Sequence, residues 1–152
     1  MHAHPDFADS ALPKQAHLAG FTLTPLSSPY AQEDFDVVMA SAPVLKGLFG
    51  NSWPEGLTLE ANRVDLAWHE REFDARRSFA WIIRGEDGGY QGCAYLYPEL
   101  GQRGVGEIAI WFAEAPGAKD AITRFKAAWV AWLRPYLPQG YVLKTVTNAA
   151  RL

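Results

Sequence analysis

The sequence has a single cysteine, Cys93, among its 152 residues, so no disulfide can close within the chain, which fits a reducing compartment. It has no excess of positive charge: 14 Lys and Arg stand against 17 Asp and Glu, for a net charge of -3. Without a basic field a protein is poorly equipped to track a phosphate backbone, and nucleic acid is not an expected partner. No stretch reaches the roughly 18 uninterrupted apolar residues that a membrane helix requires, so no membrane partner is expected either. The N-terminal "MHAHPDFADSALPK" lacks the basic start and apolar run of a secretory signal, and the expected location is the cytoplasm. What is present is a globular balance of 49% hydrophobic and 20% charged residues. A chain of this length suits one domain that removes roughly 70% of its unfolded surface from water.

Residues 1 to 18 are mixed and aperiodic and are expected to form a flexible tail ahead of a single domain over 19–152. His2, His4 and His17 lie in it without acidic or thiol partners converging on them, so no metal is expected. "FTLTPL" alternates as a short strand, and Ser28 with Pro29 opens a helix over about 29 to 41, where Phe35, Val38, Met39 and Ala42 recur at helical spacing. After a turn-rich link, Thr58 caps a longer helix. Ala61, Val64 and Trp68 share one stripe of it, and Asp65–His69 and Glu72–Arg76 are i,i+4 pairs.

The period then changes to that of strands. "SFAWIIR" and "YQGCAYLY" flank the turn "GEDGG", and "VGEIAIWFA" alternates as a third strand, making an antiparallel meander. The glycine-rich "GQRGVG" therefore joins two strands and reads as a hairpin connection, since a phosphate loop must follow a strand and open a helix. That order occurs instead after Phe112. Ile122, Phe125, Trp129, Trp132 and Leu133 mark one face of the helix that follows, and "GYVLKTVTN" is the last strand. A strand, helix, strand unit makes a right-handed parallel crossover, so the last strand is expected beside the one through Ile108 and parallel to it. The fold class is α/β (α+β), a mixed, mostly antiparallel sheet with helices on its faces. The last strand should be a sheet edge, which leaves room for a homodimer.

Pro116, Gly117 and Ala118 offer no side-chain acceptor to the helix start, so its first N–H groups stay open to water or to a phosphate, with Lys119 adding charge and Asp120 opposing it. Cys93, between Gly92 and Ala94, reads as a packed thiol.

This order of elements, with "LTLEANRVDLAWHEREFDARRSFAWII", "GCAYLYP" and "EIAIWF", resembles the GNAT superfamily of acyl-CoA-dependent N-acyltransferases over about residues 20 to 150, and more specifically a bacterial GNAT-like subfamily. The resemblance implies acetyl-CoA as co-substrate and a small-molecule or peptide amine as acceptor, with no metal. It implies a pantetheine arm lying where the strand through Ile108 parts from "YVLKTV", with Phe112 and Ala113 offering backbone to it. By the same similarity Gly117, Ala118 and Lys119 would face the pyrophosphate, and Asn148 would contact the arm. Glu107 stands where some members place a general base, against its reading as a solvated carboxylate at a strand entrance.

Two departures accompany the resemblance. "EAPGAKDA" keeps one glycine where the family loop usually has a Gln or Arg followed by two spaced glycines, and no residue matches the tyrosine acid that members often carry in a further helix. A noncatalytic GNAT-like module that binds a ligand or a protein therefore stands beside the acetyltransferase reading.

Overall fold

The structure, a computed structural model, describes residues 2–152. Six strands form one sheet in sequence order: β1 (Ala16–Leu18), β2 (Phe21–Pro25), β3 (Phe79–Arg84), β4 (Tyr90–Pro98), β5 (Val105–Phe112) and β6 (Val142–Thr147). All neighbours are antiparallel except β5 and β6, which run parallel from Val105 beside Val142 to Ile110 beside Thr147. The parallel pair is the one joined by a helix, as the crossover argument requires.

Helices α1 (Ala31–Ala40), α2 (Ala42–Leu45) and α3 (Leu59–Asp74) separate β2 from β3, and α4 (Ala118–Leu133) separates β5 from β6. The strands are apolar on both sides because both faces are covered. On one face Trp81, Ile108, Ile110 and Phe112 meet Ile122, Phe125, Trp129 and Leu133 of α4. On the other, Ile82, Cys93, Ala109 and Trp111 meet Val38 of α1 and Leu66 of α3. Each fully buried large side chain of this kind contributes about 1.5–3 kcal/mol.

The N-terminal segment is packed, and the expectation of a tail is corrected. Phe7 is fully buried between Phe79 and Tyr141, at ring separations of 5.1 and 5.9 Å, and β1 pairs with β2. The His4 Nε2 lies 2.8 Å from the Glu99 carbonyl, and the buried Asp6 carboxylate accepts from the Gly104 N–H at 2.8 Å and from Arg103. One apolar side chain in a short turn has no period to reveal it. The glycine-rich connection does hold an anion, but that anion is the chain's own Asp6. Gly106, at the start of β5, is required for another reason: a Cβ there would lie 2.5 Å from the Tyr141 hydroxyl and 2.9 Å from the Tyr97 carbonyl oxygen.

Helix α3 differs from expectation in its buried face. Thr58 caps it, accepting from the Ala61 N–H at 3.1 Å, but Val64 and Trp68 face outward while Asn62, Leu66, His69, Glu72 and Phe73 face inward. Glu72 pairs with Arg77 rather than Arg76, through two hydrogen bonds of 2.7 Å each. Arg76 instead has a positive φ of 57° and donates to the Ala8 carbonyl.

Candidate active site

The parallel pairing of β5 with β6 stops at Ile110, and beyond it the two strands are joined by a side chain. Asn148, buried just after β6, accepts from the Phe112 N–H at 3.0 Å and donates to the Phe112 carbonyl at 2.9 Å. Its amide also donates to the Val44 carbonyl at the end of α2, at 3.2 Å. Two of the three Asn148 side-chain hydrogen bonds thus close the gap between the strands, and the third ties it to α2. The Ala113 N–H is also engaged, donating to the Gln91 carbonyl at 2.8 Å.

Beside this closure opens a cavity of about 620 Å³. Phe112, Ala113, Gly117 and Ala118 line it, so four of the six residues expected at a cofactor stand on one wall. Lys119 and Asn148 are not on that wall: Lys119 is exposed on the first turn of α4, and Asn148 is sealed behind Phe112. Gly117 is the N-cap of α4 with φ 78°, a conformation glycine adopts without strain, and no side chain caps the helix start. The Ala118 N–H is taken by the Ala115 carbonyl at 3.0 Å, and the helix presents the remaining N–H groups of its first turn and its positive dipole end toward the cavity. Arg124, two turns further along α4, adds a guanidinium that also lies over the Phe21 ring at 5.3 Å. Glu86 and Asp87 of the β3–β4 turn line the other side. Neither Arg124 nor this acidic turn was a sequence expectation. The signal for Arg124 was its place seven residues, two helical turns, after Gly117.

Glu107 is exposed near the start of β5, in register with Tyr97 of β4 and Lys144 of β6. At about 3.3 Å of rise per residue it stands roughly 17 Å along the strand from Phe112. Its side of the sheet is that of α3, where Tyr97, Tyr95 and Trp111 also project. Burial pushes the Tyr97 hydroxyl above its ordinary range, and the carboxylates of Asp65 and Glu107 add to the rise.

A polar cluster that sequence reasoning missed lies deeper on that face. Asp34 of α1 is buried and accepts from Asn62 Nδ2 at 2.8 Å and from the Tyr90 hydroxyl, which in turn lies 2.9 Å from Cys93 Sγ. Burial raises the Asp34 carboxyl, with Tyr90 and Asn62 pulling it back. Burial and the adjacent Asp34 push the Cys93 thiol well up, so it is a packed group rather than a nucleophile. The available signal was spacing: Ala31, Asp34 and Val38 form the buried stripe of α1.

Solved structures share this fold. The chain has the fold of the GNAT acetyltransferases. RimL, a ribosomal-protein alpha-N-acetyltransferase solved with coenzyme A, superposes with a TM-score of 0.66 at 12% identity, over 86% of this chain and 73% of that one. An acetyltransferase from Salmonella typhimurium that modifies an N-terminal serine of a 50S ribosomal subunit protein gives 0.63 at 10% identity, over 85% and 70%. The microcin self-immunity acetyltransferase MccE, solved with acetyl-CoA and AMP, gives 0.60 at 13% identity, over 85% and 69%. No protein-family model matches the sequence, and no curated protein matches it. At these identities the likeness establishes the GNAT fold, and the chemistry rests on the site.

Proposed function

We propose that the protein is an N-acetyltransferase that takes its acetyl group from acetyl-CoA and passes it to an amine. The observation that carries this reading is the Phe112–Asn148 pair. Where the two parallel strands part, Phe112 presents one donor and one acceptor, and a primary carboxamide satisfies both. The two amides of a pantetheine arm can supply an acceptor and a donor between them, as a neighbouring strand does, so the arm can take the place of the Asn148 side chain on Phe112. Asn148 then acts as a surrogate that keeps the strand end satisfied until the arm arrives. The adjoining cavity, with the uncapped start of α4 and Arg124, is where the pyrophosphate would sit, drawn by free N–H groups and positive charge. Gly117 and Ala118 would face it through backbone, with Lys119 contributing at the rim. Neighbours solved with coenzyme A or acetyl-CoA support the same cofactor.

The protein's contribution to rate on this reading is mainly position: the strand ends hold the arm extended, and strand backbone stabilises the charge that develops on the thioester oxygen. Glu107 is the residue proposed as base toward the incoming amine, acting if the thioester is delivered along β5 toward it. A second reading has its own observation. Asn148 is fully engaged and Glu86 and Asp87 line the cavity, an arrangement that suits a module which keeps the fold without the cofactor.

A thermal melt with CoA separates them. A ligand at about 100 times its dissociation constant adds about 2.7 kcal/mol, and each kcal/mol moves the midpoint of a domain this size by roughly 2–4 °C. Saturating CoA should therefore raise the melting temperature by about 5–11 °C, and Arg124→Glu, at an exposed position, should remove most of that rise. An unmoved melting curve at millimolar CoA would favour the noncatalytic module.

A further inference from the structure

A second cavity, of about 410 Å³, opens on the opposite face of the sheet, between α3, the link that precedes it and β4. Its walls are aromatic. Phe49 stands 4.9 Å from Trp53 and 5.1 Å from Tyr95, both edge-on, and Tyr95 is stacked on Tyr97 at 5.7 Å and 8°. Trp68 closes the remaining side, held against His69 at 5.0 Å. Phe49 and Trp68 are among the few large apolar side chains that the fold leaves exposed, at 38% and 41%, and both line this cavity. Exposed aromatics gathered around one concavity are more than the scattered apolar surface that every protein shows.

The charge of the cavity is negative. Asp65 lines it, with its Oδ2 3.4 Å from His69 Nε2, and its side chain remains open to solvent. Among the described residues no Lys or Arg lines it. Glu107, directly opposite Tyr97 on the neighbouring strand, adds a second carboxylate to this face. Ring faces carry partial negative charge and ionised carboxylates a full one, so both features of the wall favour one kind of guest.

We propose that this cavity binds an alkylammonium group, with a methylated ammonium the best fit: a cation too weakly hydrated to resist leaving water, seated on the aromatic faces and balanced by Asp65. A neutral alkyl ligand would gain the apolar burial but not the attraction to the rings and the carboxylate. Such a site requires neither acetyl-CoA nor any transfer step, and it stands whether or not the first cavity holds a cofactor.

The test compares choline with 3,3-dimethyl-1-butanol, its neutral carbon isostere, by ligand-observed NMR titration at fixed ionic strength on the intact chain. Choline and tetramethylammonium should bind saturably, and the isostere should bind about tenfold or more weakly, the fold-change that a cation held on aromatic faces accounts for. Asp65→Asn should weaken choline while leaving the isostere unchanged. Trp68→Ala, at an exposed position and with its circular dichroism checked, should abolish choline binding. Equal binding of choline and isostere, no binding of either, or choline binding that survives Trp68→Ala would each overturn the assignment. Coenzyme A binding in the same samples reports on the first cavity alone, so failure of one site is not confused with failure of the other.

Discussion

Two buried carboxylates respond to pH with opposite signs. Burial pushes the Asp6 carboxyl up, but the Gly104 N–H and the Arg103 guanidinium together outweigh it, and the group settles below its ordinary 3.8. A depressed carboxyl contributes stability that is present above its unfolded value and is lost as pH falls through the folded one. Asp6→Asn should thus destabilise at neutral pH and converge on the wild type in acid. Asp34 is the reverse case. Burial raises it above 3.8 despite the hydrogen bonds from Tyr90 and Asn62, so its contribution is full below the unfolded value and is lost as pH rises through the folded one. Asp34→Asn should compare least favourably with wild type in acid and gain on it toward neutrality. Urea midpoints for both variants at about pH 4 and 7 check the two signs together. Asn148 poses a different question. Asn148→Ala leaves the Phe112 N–H, the Phe112 carbonyl and the Val44 carbonyl without a partner and should cost about 1–3 kcal/mol in the free protein. If the arm replaces Asn148 on Phe112, the same variant should bind CoA more tightly than wild type, because nothing has to be displaced. A weakened CoA response would instead mean that Asn148 contacts the arm directly, as the sequence resemblance implies.

Helix α3 shows what an element's sequence conceals. Its apolar positions Ala61, Val64 and Trp68 align at helical spacing, yet the face turned inward includes Asn62, His69 and Glu72. Two of these polar groups have partners beyond the helix itself: Asn62 reaches Asp34 and the Ala31 carbonyl, and Glu72 holds Arg77, while His69 lies 3.4 Å from Asp65 within the helix. Periodicity counts hydrophobic side chains, and it points to the wrong face when buried polar groups are satisfied across 28 or 31 residues of sequence. Leu66→Ala should cost about 2–5 kcal/mol, and Val64→Ala should stay within about 0.5 kcal/mol of wild type. Reversed magnitudes in denaturant melts would restore the apolar stripe to the inside. The strands were easier to read. "FAWIIR" and "EIAIWF" are buried on both faces, so their apolar runs needed no correct choice of side. At the candidate site, local pattern identified Gly117 and Ala118 because an uncapped helix start is a local property. Arg124, Glu86 and Asp87 come to the cavity from α4 and a distant turn, and only the register of β4 on β5 brings them together.

Seen as a whole, the molecule ends its sheet with two unequal edges. β1 is three residues long, whereas β6 offers six, with Val142 58% exposed. A longer edge with unpaired backbone is the natural place for a second copy to add strands. A dimer through β6 should protect the outward amides of Val142–Thr147 from hydrogen exchange in a concentration-dependent way. Sedimentation as a monomer, with those amides exchanging freely, removes the dimer. The proposed catalytic role of Glu107 also belongs to this scale, since it links the two faces of the sheet. Given an acceptor that supports turnover, Glu107→Gln should lower the rate by roughly 10²- to 10⁴-fold with CoA affinity little changed. An unchanged rate would return Glu107 to a solvated carboxylate at a strand entrance.

The anchoring of Asp6 on Gly104 sets a clock on biosynthesis. The two residues lie 98 apart in sequence, and the Gly104 carbonyl in turn accepts from the Val142 N–H. At about 5–20 residues per second, the N-terminal segment emerges roughly 5–20 s before its partner does. Through that interval the pocket of Phe7 lacks one wall, because Tyr141 has not yet been made. A ribosome-bound chain stalled before the β4–β5 connection should therefore expose its first 18 residues to protease, and the same residues should become resistant only once β6 has been released.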